Sequence, residues 1–161
     1  MRKLLGTSLN FPAAYVRAPR DQRLLFLAGL LDSDGNLDGQ RFHFTQKRYD
    51  WARDVWWMAR SLGFGASIRL RKSGIKRLDG YTFSGEYWRV SISGDLSLIP
   101  TIIERKRATV HTRLRHWNPL TNGFDIQPIG TGDAHEIEVD TDGNFLLGDF
   151  TIIKSALPPW S

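Results

Sequence analysis

Two carboxylates, Asp32 and Asp34, stand two residues apart immediately before Gly35. The residues ahead of them predict a helix. Leu24, Leu27, Ala28 and Leu31 follow i, i+3, i+4, i+7 spacing, with Asp21 as a candidate N-cap and Gly35 as the stop. Both acids therefore fall in the last turn, where the helix macrodipole is negative and disfavours a carboxylate by about 0.3–1 kcal/mol. A divalent cation reverses that sign. Hard carboxylate oxygens beside a backbone carbonyl suit Mg²⁺, which keeps waters and binds phosphate oxygens. Such an ion can generate an attacking hydroxide and stabilise a leaving oxygen in phosphodiester cleavage. A bare Asp-x-Asp-Gly is more often a plain helix stop. A calcium loop of the EF-hand type is excluded, because glycine comes at the fourth position and His43 occupies the twelfth.

The elements around these acids read as an α+β arrangement. Arg41–Gln46 alternates, with Phe42 and Phe44 on one face. Ala52, Val55, Met58, Ala59 and Leu62 recur at helical spacing and Gly63 follows as a stop. Ser67–Arg71 and Tyr87–Ser93 alternate again, joined by a loop rich in Lys, Arg and Gly from Lys72 to Gly80. A further helix is expected at about Leu96–Lys106, interrupted near Pro100. Residues 1–20 look irregular, with Pro12 and Pro19 as breakers. The expected order is helix, short strand and strand, helix, strand and strand, helix, with an antiparallel sheet. Its outward positions carry Arg41, His43, Arg69, Arg71 and Arg89. An antiparallel sheet can leave one face wet, and a two-stranded ribbon fits the DNA major groove. Trp51, Trp56 and Trp57 could stack on bases, but the reading preferred here places at least two of them in or over the core.

Composition bounds the class. The chain has 161 residues, enough for one domain and a small appendage. No apolar run is long enough to span a bilayer, and the apolar start at Met1–Leu5 ends too early for a signal peptide. An intracellular protein, nuclear or cytoplasmic and not secreted, is expected. There are no cysteines, so disulfides, thiolate metal sites and cysteine nucleophiles are excluded. The net charge of +5 is unevenly spread. Residues 41–90 hold eleven Lys/Arg against four acids, and 124–150 hold seven acids and no Lys or Arg. The basic block is the candidate for phosphate contact, although charge alone fits an ordinary solvated surface equally well.

Leu27 to Gly35 resembles the LAGLIDADG signature at every position, with Leu31 for Ile and Ser33 for Ala. Softer likenesses to homing endonucleases of that family run over about residues 14–110. They include the lead-in Arg17–Leu25, the passage Phe42–Trp51, Arg89–Gly94 with Ile99-Pro100, and Glu104–Arg107. The resemblance implies an αββαββα fold with an antiparallel saddle sheet, over residues 1–118. It implies Asp34, Gln46 and Lys106 as catalytic residues. Asp34 would bind Mg²⁺ or another divalent cation such as Mn²⁺, with Ser33 beside it. Gln46 would order water, and Lys106 would lie near the scissile phosphate. The family's basic residue early in the second helix has no counterpart, since Asp50 stands there; Arg48 or Arg53 could substitute. Double-stranded DNA would meet Arg41, His43, Arg48, Arg69, Arg71, Lys72, Lys76, Arg77 and Arg89. A homodimer would pair through Leu24, Leu27, Ala28, Gly29 and Leu31. A non-cleaving DNA-binding protein of the same fold and an RNA-binding splicing maturase are the competing readings.

Residues 119–161 resemble the C-terminal end of an intein, a Hint domain. Phe124–Gly130, His135–Asp140 and Phe145–Ile152 carry the likeness; alternation predicts short strands at Phe124–Ile126, His135–Val139 and Phe145–Ile153, with a tight turn at Asp142-Gly143-Asn144. The positions of the splicing His, Asn and nucleophile hold Lys154, Ser155 and Ala156. No protein splicing is expected from them.

Overall fold

A computed structural model describes residues 11–76, 82–109, 125–128, 130–133, 139 and 143–154. The chain divides into two compact units, Met1–Thr121 and Asn122–Ser161. The first unit begins with a one-turn helix, α1 (Ala13–Val16), followed by α2 (Arg20–Asp34). Then come β1 (Gly35–Asp38), β2 (Arg41–Gln46), α3 (Tyr49–Ser61), β3 (Gly65–Lys76) and β4 (Thr82–Ser93). The strands form one antiparallel sheet in the order β1-β2-β4-β3.

The core lies between one face of this sheet and the two longer helices. Strand alternation turns Phe42, Phe44, Val90 and Ile92 to that face, and all four are fully buried. Helical spacing sends Leu24, Leu27, Ala28 and Leu31 of α2 and Ala52, Val55, Met58 and Ala59 of α3 against them. Trp51 and Trp56 pack on this core, and the Trp56 indole N–H donates to Ala66 O at 3.1 Å. Those two tryptophans are structural. Phe11 and Tyr15 close over Phe26, with ring centroids 5.2 and 4.8 Å away.

Several details differ from the sequence expectations. Pro19, not Asp21, precedes the first helical residue, so Asp21 serves as a first-turn acid facing the positive end of the helix dipole. Gly35 does end α2, but with φ −83° and ψ 158°, extended rather than left-handed. Its glycine requirement is close approach: a Cβ there would sit 2.6 Å from Leu31 O. Helix and sheet are thereby joined with no intervening residue. β1 has one apolar residue and no alternation to advertise it. It is held by pairing with β2 through a two-residue turn whose first member, Gly39, has φ 55°. β3 and β4 run well beyond the segments that alternate.

The expected helix at Leu96–Lys106 is absent. Two 3₁₀ turns, Leu96–Leu98 and Glu104–Lys106, flank an extended stretch. Pro100 removes a helical donor, and the backbone N–H groups of Ile102 and Ile103 go to a side chain on α2 instead of to their own ladder.

In the second unit, Phe145–Ile153 is two strands, not one. β5 (Asn144–Leu146) pairs antiparallel with β6 (Ile152–Lys154). The turn between them is fastened by Asp149, whose carboxylate accepts from Thr151 N and Oγ1, both at 3.0 Å. The expected strands at Phe124–Ile126 and His135–Val139 and the turn at Asp142 fall wholly or partly outside the described residues; Asp125 and Ile126 are in no strand.

Gly35→Ala should destabilise the protein by about 1–3 kcal/mol, because backbone rather than a yielding side chain occupies the space. The urea midpoint should fall with an unchanged m-value.

Candidate active site and nucleic-acid face

The end of α2 is fixed by a crossed pair of side-chain contacts. The Asp32 carboxylate accepts from Ile102 N at 2.8 Å and Ile103 N at 3.2 Å. In the other direction, the Lys106 ammonium donates to Leu31 O at 2.9 Å and Asp32 O at 2.7 Å. Thr101 Oγ1 donates to Lys106 O at 2.9 Å and closes the loop between the two. Lys106 is only 3% exposed. A cation at a helix C-terminus meets the negative pole of the dipole; Leu31 O accepts from Gly35 N as well, and Asp32 O is one of the terminal carbonyls.

This arrangement separates the two acids. Asp32 is a structural ligand for backbone. Asp34, two residues on, is exposed and has no hydrogen-bond or ion-pair partner among the described residues. The Ser33 hydroxyl turns back to Leu30 O at 3.0 Å, so its carbonyl is the oxygen it can offer. The expectation for Lys106 is corrected: its ammonium is buried against the helix end and does not stand free for a phosphate. Gln46 ends β2 on the core side, in line with Phe42 and Phe44 and opposite Trp88. Gly35 pairs with Phe44, so Asp34 and Gln46 lie at the same end of the β1–β2 ladder.

A divalent cation finds one suitable donor here, the exposed Asp34 carboxylate on an electronegative helix end. No group of three or more His, Cys, Asp or Glu able to hold a metal occurs among the described residues. The substitutes for the missing basic residue on α3 are both engaged. Arg48 pairs with Asp50, holding that carboxyl below its usual range, and Arg53 lies 3.2 Å from Asp54.

The other face of the sheet is wet and basic. In register across it, Thr45 faces Arg89 and Arg89 faces Arg69; the next row holds Tyr87 and Arg71. Arg69, Arg71 and Arg89 are exposed. Like charges directly opposite each other destabilise a sheet, so this pair is a cost until an anion lies against it. Arg41 is the exception, standing opposite Asp38. His43 sits among these cations with Nδ1 3.0 Å from Ser91 Oγ. Burial and then Arg89 lower its pKa from the usual 6.5; Asp38 opposes them, and Arg41 and Arg71 add smaller lowering effects. Lys72 departs from expectation: the pleat puts it on the opposite face from Arg69 and Arg71, 3.5 Å from Glu86. Only the backbone of Lys76 is described, and Arg77 lies outside the described residues.

Of the residues expected to pair, Leu24, Leu27, Ala28 and Leu31 are buried within their own protomer. The side of α2 left open carries Leu25, 62% exposed, and the exposed Gly29 and Ser33. The run Leu24-Leu25-Phe26-Leu27 held that signal, since it is too apolar for a single buried stripe. Nothing near Asp32 in sequence announced its partners seventy residues away.

Residues 21–98 match the family model described as LAGLIDADG-like domain. The match covers slightly less than half of the chain, and it falls on α2, the four-stranded sheet and α3. No curated protein matches the chain. No helix among the described residues is long and apolar enough to cross a membrane.

Lys106→Met keeps the stem volume and removes the donors, leaving the part-buried Asp32 carbonyl without its ammonium partner. It should cost about 2–3 kcal/mol. Denaturant unfolding measures the loss, and amide exchange should quicken in the last turn of α2.

Proposed function

We propose that the chain is a site-specific endonuclease that hydrolyses phosphodiester bonds in double-stranded DNA with a divalent cation, acting as a homodimer. The observation that supports this most directly is the freed Asp34 carboxylate at a rigidly clamped helix end, at the margin of a basic sheet. DNA would lie on the wet face, with Arg69, Arg71 and Arg89 near phosphates and Gln46 close to the cleavage region. Mg²⁺ or Mn²⁺ would supply a polarised water and neutralise charge on the scissile phosphate. Asp34 would hold the ion, with the Ser33 carbonyl beside it. One carboxylate per chain holds such an ion weakly, so two Asp34 side chains brought together by pairing make the better site.

Pairing through α2 has its own support. Gly29 stands in the middle of a 15-residue helix, where glycine costs about 0.5–1 kcal/mol relative to alanine. A Cβ there would meet nothing within 4 Å in the protomer. The protomer gives no reason for the glycine; a second α2 packed closely along Leu25, Gly29 and Ser33 does. The two-fold symmetry of such a dimer would be mirrored in a palindromic or near-palindromic target. We read residues 119–161 as a relic of an intein end, attached to this nuclease without splicing activity.

Cleavage of a degenerate duplex pool with Mg²⁺ should be abolished by Asp34→Asn while binding is retained. Binding with no cleavage by either protein would instead identify a non-cleaving DNA-binding protein. Preference for structured intron RNA would identify a maturase. Gly29→Leu should raise protomer stability by about 0.5–1 kcal/mol yet shift sedimentation from dimer to monomer. A wild-type protein that stays monomeric both free and on DNA would rule out pairing.

A further inference from the structure

The chain from Leu98 to Ile103 passes the end of α2 as a strap, extended at Ile99 and Ile103. Its exposure alternates. Ile99 and Thr101 are buried, whereas Leu98, Pro100 and Ile102 are exposed, Ile102 at 79%. The strap is fastened along its length. Thr101 Oγ1 donates to Lys106 O, and the amides of Ile102 and Ile103 donate to Asp32. No residue from Leu98 to Ile103 is charged. A single exposed leucine or isoleucine is ordinary. Apolar residues held outward together by a fixed backbone make a surface.

We propose that this strap is the second half of the pairing surface: its outward residues, Ile102 above all, pack against a second copy of the chain beside α2. The proposal rests on the pairing through α2 given above. The position of the strap supports it. Leu25, Gly29 and Asp32 stand at i, i+4 and i+7, so they share one face of the helix. Leu25 and Gly29 are the exposed part of that face, and Asp32 is the point where the strap is fastened. The apolar edge of the strap therefore continues the open face of α2, about 10 Å along the axis from Leu25.

Chemistry and area together point to a second copy as the occupant. An uncharged apolar edge gains nothing from phosphates, so a duplex has no reason to select it. A two-fold interface presents the same patch from both copies, so each apolar edge is covered twice over by one contact. One helix face of a few turns supplies only part of the roughly 800 Å² per partner that a stable interface buries. The strap widens that contact without a new ordering cost, because its backbone is already held by Asp32 and Thr101.

The chain has no cysteine, so Ile102→Cys places one thiol on the strap of the full-length protein. Its alkylation by a maleimide should be about ten-fold slower well above the dimer dissociation constant than below it, as mass action leaves few free protomers. Ile126→Cys, at a site 85% exposed in the second unit, should react at one rate throughout. Ile102→Glu should weaken the dimer about 100-fold or more in sedimentation equilibrium, since two isoleucines leave the interface at once. Its urea midpoint, measured where both proteins are monomeric, should match wild type, because the side chain is exposed in the protomer. A thiol at position 102 as reactive in the dimer as in the monomer overturns the proposal. So does slowing shared equally by Ile126→Cys, or an Ile102→Glu dimer of wild-type strength. Each of these leaves pairing through α2 standing. A wild type that is monomeric both free and on duplex DNA is a different result, and it overturns the pairing itself.

Discussion

The crossed contacts between Asp32 and Lys106 hold the working end of the first unit together. Each side chain satisfies the other segment's backbone: the carboxylate takes two amides of the extended stretch after Pro100, and the ammonium takes two carbonyls of the last turn of α2. A helix end and an extended segment both carry backbone groups that their own structure cannot pair. Here each supplies what the other lacks. The buried ammonium lies against the negative pole of the helix, so its charge is compensated by dipole and carboxylate rather than by a conventional ion pair. After Leu98 the chain has no helix or sheet ladder of its own, so this lock and the burial of Ile99 and Thr101 hold it to the first unit.

The lock explains how one short motif does several jobs. Along α2, the stripe Leu24, Leu27, Ala28 and Leu31 faces the core, while Leu25, Gly29 and Ser33 face outward. In the final turn, Asp32 points to the returning segment and Asp34 to solvent. Gly35 then lets the sheet begin at once, because nothing larger fits beside Leu31. The position of Asp34 is thereby determined from three directions: by core packing of the helix, by the lock at its end, and by the β1–β2 pairing that starts one residue later. Preorganisation of this kind matters most for a site that offers a single carboxylate per chain.

The fold was legible where periodicity was strong. Both long helices, and the central strands at Arg41–Gln46 and Tyr87–Ser93, follow from apolar spacing. β1 was not assigned to its residues because Leu37 alone cannot show a period. The segment 96–106 was misread because its apolar residues fall at helical intervals, although Pro100 and the run of β-branched residues weaken a helix and tertiary contacts supply the amides with partners. The motif singled out Asp34, which stands exposed at the helix end, and the resemblance singled out Lys106, whose side chain is buried against the same helix end. The apolar stripe of α2 belongs first to the protomer's own core; the residues it leaves exposed, Leu25, Gly29 and Ser33, carry no periodic signal of their own.

The sheet shows the same logic from the opposite side. Its inner face could be met by α2 and α3 because its side chains are apolar, and that burial sets the register. The register in turn dictates which outward residues stand opposite each other, and it sets Arg69 against Arg89 with no acid between them. A surface selected for stability alone would separate or pair those charges, as Asp38 does opposite Arg41. Retaining them opposite each other is a departure from local stability that an anionic ligand would offset. Under the proposed function, the regularly spaced phosphates of a duplex would provide that offset along a line of strands.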